Sequence, residues 1–364
     1  MTTDRDAIRR FFDRYDVSPV GATPVQPNIP PDPGEGDEKE TVDLAVEVPE
    51  EEWDGVLVAE TPARDGEFPT RFIDGSQAGQ PVLCVRSPQG WPIPLVLSEV
   101  GAVALKSVGR RFERDFVMVE RVLSFVADPF PWEEVEALAD ALMNKPELAL
   151  RVLPANRPRE AHSPFDYEVM RSQARARAQH EMATLEKLAL EIAPDSPTLV
   201  DGRLYRVMST RATDVPLRVG VVKQQAADYL HETGWRTLLS LKLAHRTPVF
   251  KYESSGTDGG RFTVATWFLK LAGGPRLAPN WGYVRVEVPW NQFALRFRHD
   301  FGFVNRLSRW LIDARCRTAS YARMPVSLDP IVRAEDALKP LFTPTAVLVN
   351  RLYRTAGLFR RDEP

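Results

Sequence analysis

Cysteine is nearly absent from this chain, and its absence excludes several classes of protein. Among 364 residues only Cys84 and Cys316 are cysteines, and they lie far apart without a CxxC pair or another metal-ligand spacing. A disulfide framework and a cysteine-based zinc site are therefore not expected, and the chain suits a reducing compartment.

Long apolar runs and a glycine-rich phosphate loop are also missing. No stretch reaches the roughly 18 uninterrupted apolar residues of a membrane span. The first residues, MTTDRDAIRRFFDRYD, are charged throughout and contain no signal-peptide core. The sequence therefore predicts a soluble, cytoplasmic protein that makes no membrane contact. No GxxxxGK[ST] motif occurs, so a P-loop nucleotide site is not expected.

Acidic residues are concentrated in one segment of the chain. From Asp32 to Asp54, eleven acidic side chains are balanced only by Lys39, which gives this segment a net charge of −10. Because the whole chain carries −3, the remainder carries +7. A basic body suits a polyanion-binding protein, because each neutralised phosphate releases counterions. An acidic segment beside a mildly basic core also occurs without nucleic-acid binding, so charge alone leaves both readings open.

Composition divides the chain into three parts. Residues 1–16 predict a short amphipathic helix, with Ile8, Phe11, Phe12 and Tyr15 on one face. This helix could dock on the main body or on a partner. Residues 17–54 are rich in proline, glycine and acid and predict a disordered linker. Residues 55–364 predict one main domain.

The main domain has a mixed α/β pattern. Short β-rich runs such as TRFIDGS, PVLCVRS and GYVRVEVPW alternate with helical segments, the longest being DYEVMRSQARARAQHEMATLEKLALEIA before Pro194. A mixed sheet flanked by helices is therefore expected. The stretch WEEVEALADALMNK predicts a helical insertion at about 128–165.

Two strand-like runs each end in Asp-Gly: TRFIDGS contains Asp74 and PTLVDGRL contains Asp201. A turn is the ordinary explanation for such a pair. On the long helix, the apolar stripe through Ala178 and Leu185 includes Glu181, a costly position for a carboxylate that no cation meets. A salt bridge with a nearby basic residue is the alternative for Glu181. Glu186, rotated about 100° from Leu185, is expected in solvent.

Convergence of Asp74, Glu181 and Asp201 would place three repelling carboxylates in a small volume. The usual remedy is a divalent cation with oxygen ligands, Mg²⁺ or Mn²⁺. A carboxylate cluster that holds two such ions about 3.5–4 Å apart is suited to in-line phosphoryl transfer.

The order of these motifs resembles the NurA nuclease family. FIDGS, a long helix with an inward glutamate, LVDGRL, RVGVVK, WFLKL, YVRVEVP and PIVRAEDAL follow one another over roughly residues 70–345. The resemblance implies an RNase H-like core, two Mn²⁺ or Mg²⁺ ions, DNA as substrate, a HerA-type hexameric ATPase as partner in DNA end processing, and a homodimer.

The resemblance also assigns residues. It implies that Asp74, Glu181 and Asp201 are catalytic metal ligands, with Glu186 as second choice for the helix glutamate. Glu335 in PIVRAED stands where the family usually has Ala-His or Ala-Asp, beside Asp336, and completes the set. Three basic residues are expected to contact DNA: Lys223, which matches a family lysine, Arg285, for which an ion pair is the alternative, and Arg177 on the long helix.

The resulting expectation is a metal-dependent DNA nuclease, taken as a 5′–3′ exonuclease with single-strand endonuclease activity as a further mode. The alternative is a NurA-like DNA-binding adaptor that has lost its chemistry, for which the unusual Glu335 is the main argument. A serine hydrolase using Ser76 is not expected, because DGSQAG is not a GxSxG elbow.

Overall fold

The computed structural model describes residues 4–20, 41–59, 68–156, 167–208, 215–223, 229–255, 260–273 and 281–358. Residues 21–40 of the predicted linker and residues 157–166 of the predicted insertion lie outside these ranges. The division of the chain into three parts therefore stays a prediction.

The described elements are thirteen strands and seven α-helices, with short 3-10 and π turns between some of them. The strands are β1 (Ser18–Pro19), β2 (Thr41–Asp43), β3 (Val56–Leu57), β4 (Arg71–Arg86), β5 (Pro92–Val108), β6 (Arg111–Val126), β7 (Leu150–Ala155), β8 (Thr198–Asp201), β9 (Arg218–Val222), β10 (His245–Arg246), β11 (Phe250–Ser255), β12 (Arg261–Lys270) and β13 (Tyr283–Pro289). The helices are α1 (Asp4–Arg14), α2 (Trp132–Met143), α3 (Tyr167–Glu191), α4 (Glu232–Ser240), α5 (Phe301–Asp313), α6 (Asp329–Leu338) and α7 (Thr345–Ala356).

The strands of the described ranges form one sheet, whose main path is β2-β11-β12-β13-β9-β8-β4-β5-β6-β7. Its centre is β6-β5-β4-β8-β9, in which β4, β5 and β6 are antiparallel and β4, β8 and β9 are parallel. If these five strands are renumbered 1 to 5 along the chain, starting at β4, their order across the sheet is 3-2-1-4-5. This is the strand order of an RNase H-like core. The expected mixed α/β sheet flanked by helices is confirmed.

Helices cover both faces of this central sheet. Because side chains alternate along a strand, neighbouring residues of β4 face opposite helices. Ile73 packs in a cluster with Ala189 of α3, whereas Phe72 packs with Leu307 of α5 on the other face. Leu338 of α6 packs on that second face, against β5. The same alternation places Asp74 on the α5 and α6 face and Gly75 on the α3 face.

The N-terminal helix packs against its own chain. Ile8, Phe11, Phe12 and Tyr15 belong to one core cluster together with Leu138 of α2. The four aromatic or branched side chains are those that the periodicity placed on one face. Docking on the body is thus the observed arrangement for α1.

Residues 41–54 are ordered, which corrects part of the expected linker. Glu47 receives two hydrogen bonds from the buried Arg246, at 2.7 and 2.9 Å. Glu50 accepts hydrogen bonds from the backbone N–H groups of His231 and Gly234 at the start of α4, and Trp53 is buried. These acidic side chains serve as ion-pair and capping partners, so composition alone misjudged them.

The predicted helical insertion also contains a strand. After α2, β7 extends the sheet in parallel beside the second half of β6, pairing Leu150–Ala155 with Arg121–Val126. As for membranes, no helix in the described ranges combines the length and apolarity that a bilayer crossing requires.

Candidate functional site

Two aspartates meet where β8 ends. Ile73 of β4 pairs with Val200 of β8, so the next residues along the two parallel strands, Asp74 and Asp201, are neighbours on one face. Strand β8 ends at Asp201, but β4 continues to Arg86. Asp74 is 5% exposed in the middle of a strand, so the turn explanation does not hold for it.

Glu186 reaches this point from α3. Its carboxylate accepts a hydrogen bond from the backbone N–H of Gly75. A Cβ built on Gly75 would overlap the Glu186 Oε1 atom, so any larger residue at this position would displace the Glu186 carboxylate. The glycine after Asp74 therefore makes room for a helix carboxylate, because it leaves the α3 side of the strand bare.

The carboxylates of this site interact through their charges. Burial, together with the nearby Asp201, raises the pKa of Glu186 from 4.5 to about 8. Burial followed by the charge of Asp201 also raises the pKa of Asp74 well above its usual value, against the lowering effect of Lys223. Glu186 and Glu335 contribute further to this rise. The four carboxylates Asp74, Glu186, Asp201 and Glu335 thus form one electrostatic cluster, called here the acidic cluster.

Glu181 lies elsewhere and corrects the expected ligand set. It is buried, but its Oε1 meets the Arg151 Nη2 atom at 2.5 Å and its Oε2 meets the Arg177 Nη1 atom at 3.5 Å. The observed partners are those of the alternative explanation, a salt bridge. Glu186, expected in solvent, is 6% exposed and takes its place in the acidic cluster.

The three basic residues expected to contact DNA have different positions. Lys223 donates to the Asp201 Oδ2 atom at 2.7 Å and is almost buried. Arg177 is partly exposed and pairs with Glu181. Arg285 is fully buried, where it donates to Glu287 at 2.6 Å and to the Tyr229 hydroxyl at 2.9 Å. Its position is wrong for a DNA contact, because no surface of the guanidinium reaches solvent.

Glu335 of α6 is held by three donors. Its Oε1 accepts from Arg323 Nη2 and from Lys339 Nζ, both at 2.8 Å, and its Oε2 accepts from the Tyr321 hydroxyl. Burial alone would raise the pKa of Glu335, but the hydrogen bonds from Lys339 and Tyr321 and the charge of Arg323 bring it below its usual value. The neighbouring Asp336 is exposed.

The acidic cluster has the chemistry of a divalent-cation site. Buried carboxylate oxygens that repel one another are the donor set that Mg²⁺ and Mn²⁺ accept. Within the part of the chain that the structure describes, no group of three or more acidic, histidine or cysteine side chains stands close enough to hold an ion as placed. The ammonium of Lys223 already neutralises one of these carboxylates, Asp201, at the place that a metal cation would take.

Comparison with known proteins finds similarity in fold to a solved structure. No protein-family model matches the chain, and no curated protein sequence matches it. Its fold is similar to the crystal structure of the NurA nuclease from Sulfolobus solfataricus. The match has 11% identity and a TM-score of 0.46, and it covers 86% of this chain and 89% of that one.

The sequence offered Glu186 only as the second choice for the helix glutamate, and it did not indicate three further residues of this site: Tyr321, Arg323 and Lys339. The available signal for Glu186 was Gly75, since a glycine inside an apolar strand marks a close approach by a neighbouring element. Lys339 stands four residues after Glu335, the spacing at which oppositely charged side chains meet on a helix. No sequence pattern marks Tyr321 or Arg323.

Proposed function

We propose that this protein is a metal-dependent DNA nuclease whose metal ligands are Asp74, Glu186 and Asp201. The observation that supports this most is the meeting of three mutually repelling carboxylates where β8 ends: Asp74 and Glu186 are buried, and the Asp201 side chain is 13% exposed. Such an arrangement costs stability, since burial of like charges is unfavourable unless a cation compensates them. A structural role alone would be served better by neutral side chains.

Two Mn²⁺ or Mg²⁺ ions bound there would supply a metal-bound water as nucleophile and stabilise the leaving 3′-oxygen. The protein's own residues would hold these ions and fix their positions. Asp74 and Asp201 are fixed by strand pairing, and Glu186 is fixed by the N–H of Gly75. Lys223 balances the charge of Asp201, and its ammonium would be free to approach a phosphate oxygen if a metal cation took its place on that carboxylate.

Exposed cations at the tip of the β5–β6 hairpin support DNA as the substrate. Lys106, Arg110, Arg111 and Arg114 are exposed there, and the exposed Glu113 stands directly across the hairpin from Lys106. Phe112 and Val108 are exposed between them. Because β4 begins opposite Lys106, the tip has only two strands, a shape that the major groove of DNA admits.

This hairpin tip lies on the same sheet as the acidic cluster. Val103 pairs with Asp74, and Gly109, in the turn directly after β5, is six residues further along the chain. At about 3.3 Å per residue the turn is roughly 20 Å from the row of Asp74. A duplex held at the tip would therefore extend about six base pairs from the cleavage point, at about 3.4 Å per pair.

Removal of the three tip arginines is expected to weaken DNA binding. For Arg110→Gln/Arg111→Gln/Arg114→Gln we expect the slope of log K against log salt to fall by about 2–3, because each phosphate contact contributes about 0.9. Fluorescence anisotropy with a labelled 20-base-pair duplex in metal-free buffer measures this slope.

The matched control removes three cations elsewhere. Lys145→Gln/Arg236→Gln/Lys242→Gln lowers the net charge equally, on α4 and on the turns that follow α2 and α4. We expect its salt slope to stay close to that of the wild type. Equal slopes for the two triple variants would contradict a DNA contact at the tip.

The activity itself is tested with end-labelled single- and double-stranded DNA. We expect Mn²⁺-dependent degradation, taken as 5′–3′, that stops when EDTA is added and is lost in Asp74→Ala. Absence of cleavage by the purified wild type, alone and with a HerA-type hexameric ATPase, would contradict the proposal. That ATPase and a second copy of the chain, in the cytoplasm, are the proposed partners, and co-purification tests both.

A non-catalytic DNA-binding adaptor is the second candidate. It is favoured by the ion pair of Lys223 with Asp201, which satisfies one carboxylate without a metal. An adaptor would bind DNA with the same salt dependence but would take up no Mn²⁺. Calorimetric Mn²⁺ binding that is lost in Asp201→Ala would exclude it.

A further inference from the structure

Both oxygens of Glu335 are already used by this chain. Arg323 and Lys339 donate to one oxygen at 2.8 Å each, and Tyr321 donates to the other. The first oxygen thus accepts from two cationic groups, and the second, which accepts from the phenol, keeps a single lone pair for any cation. A metal cation bound to Glu335 would also meet the positive charges of Arg323 and Lys339, both 2.8 Å from the same carboxylate, and their repulsion opposes such binding.

The two cations, in contrast, keep donors to spare. The side chain of Arg323 is 53% exposed and that of Lys339 is 55% exposed. A guanidinium has five N–H donors and an ammonium has three, so one bond to Glu335 leaves most of them available. Glu335 fixes the buried side of both groups while their other sides face solvent.

Arg323 and Lys339 lie beside the acidic cluster. The charge of Asp201 acts on Arg323, and the charge of Glu335 acts on Asp74. Arg323 precedes the short 3-10 turn Met324–Val326, whereas Lys339 follows α6 directly. Two separate elements thus bring cations to one point, and Glu335 is the group that joins them.

We propose that Glu335 is a positioning residue that holds Arg323 and Lys339 as a binding site for a phosphate of the DNA backbone. This inference rests on the proposed function, since DNA is the ligand, and it replaces the expected role of Glu335 as a metal ligand. The guanidinium suits two phosphate oxygens and the ammonium suits one. The Tyr321 hydroxyl donates to the other oxygen of Glu335 and so helps to fix this carboxylate.

The decisive experiment separates a phosphate site from a metal ligand. For Arg323→Gln and Lys339→Gln, anisotropy with a single-stranded 20-mer in metal-free buffer should show about fivefold to tenfold weaker binding and a salt slope smaller by about 1. Calorimetric Mn²⁺ affinity without DNA should stay within twofold of wild type. The conservative variant Lys339→Arg should restore DNA binding.

Glu335→Gln is expected to behave like these two variants. Its Mn²⁺ affinity should stay within twofold of wild type, whereas Asp201→Asn loses Mn²⁺ binding. Arg333→Gln is the matched control, because Arg333 lies on the same helix and pairs with Asp329 one turn away, at 3.6 Å. Its DNA affinity should equal that of the wild type.

Two results would overturn the inference. One is a loss of Mn²⁺ affinity in Glu335→Gln as large as that in Asp201→Asn. The other is unchanged DNA affinity and salt slope in both Arg323→Gln and Lys339→Gln. Either result leaves the nuclease proposal intact, because that proposal fails only if the wild type does not cleave DNA.

Discussion

Glu186→Gln is expected to lower Mn²⁺-dependent DNA cleavage by at least about a hundredfold, since even supporting residues of metal sites cost 10–100-fold. The same substitution is expected to stabilise the metal-free protein at neutral pH. Glutamine keeps the shape of the side chain and resembles the protonated acid, but it cannot acquire the buried charge. Cleavage of labelled DNA and urea unfolding in EDTA measure the two effects.

The stabilisation should depend on pH in a defined direction. The pKa of Glu186 is 4.5 in its ordinary state and about 8 in the folded protein. Between these values the folded state keeps a proton that the unfolded state has released, so the free energy of unfolding falls as pH rises through this window. The difference in the free energy of unfolding between Glu186→Gln and wild type should therefore grow from pH 4.5 to pH 8. Below pH 4.5 the two proteins should be equally stable.

Glu181→Gln on the same helix is the matched control, because we expect it to lower stability and to leave cleavage nearly unchanged. It removes the charge that Arg151 and Arg177 meet, and it should destabilise the protein by about 1–3 kcal/mol. Cleavage should remain within a fewfold of wild type. If Glu181→Gln abolished cleavage and Glu186→Gln did not, the acidic cluster would be wrongly assigned.

These two glutamates show where sequence reasoning reached its limit. The stripe along α3 predicted that a carboxylate faces the sheet, and Glu181 does so. The same spacing of three or four residues, continued past Leu185, predicts Leu188 and Ile192 on this face, but both are exposed, whereas Ala189 and Leu190 are buried. The buried face therefore rotates towards Glu186 near the end of the helix. That rotation depends on the bare surface at Gly75, which is a tertiary contact and leaves no periodic signal on the helix itself.

The sheet was predictable where its strands are buried on both faces. β8, β9, β12 and β13 follow from short apolar runs between turn residues. β6 did not follow, because its first half, RFERDFVMVE, is an exposed edge with charges on both faces. β4 was expected as two short strands, since Gly75, Gly79 and Pro81 interrupt its pattern. It runs unbroken because β5 pairs along its whole length, with a bulge near Pro81.

Arg285→Leu is expected to destabilise the protein by about 3–5 kcal/mol, the usual result of breaking a buried ion pair from one side. Arg285 is fully buried and its guanidinium lies 4.7 Å from the centre of the Tyr252 ring. Its loss would leave Glu287 charged in the core, with one hydrogen bond at 2.9 Å from the backbone N–H of Leu204. Urea unfolding at neutral pH measures the loss.

The double variant Arg285→Leu/Glu287→Gln should recover much of this stability. A glutamine at 287 can still accept the hydrogen bond from Leu204, but it carries no charge that needs a partner. Both variants should bind DNA as the wild type does at temperatures where they are folded, because neither side chain reaches the surface. Weaker DNA binding by Arg285→Leu with unchanged unfolding would instead make Arg285 a DNA contact and would contradict its place in the core.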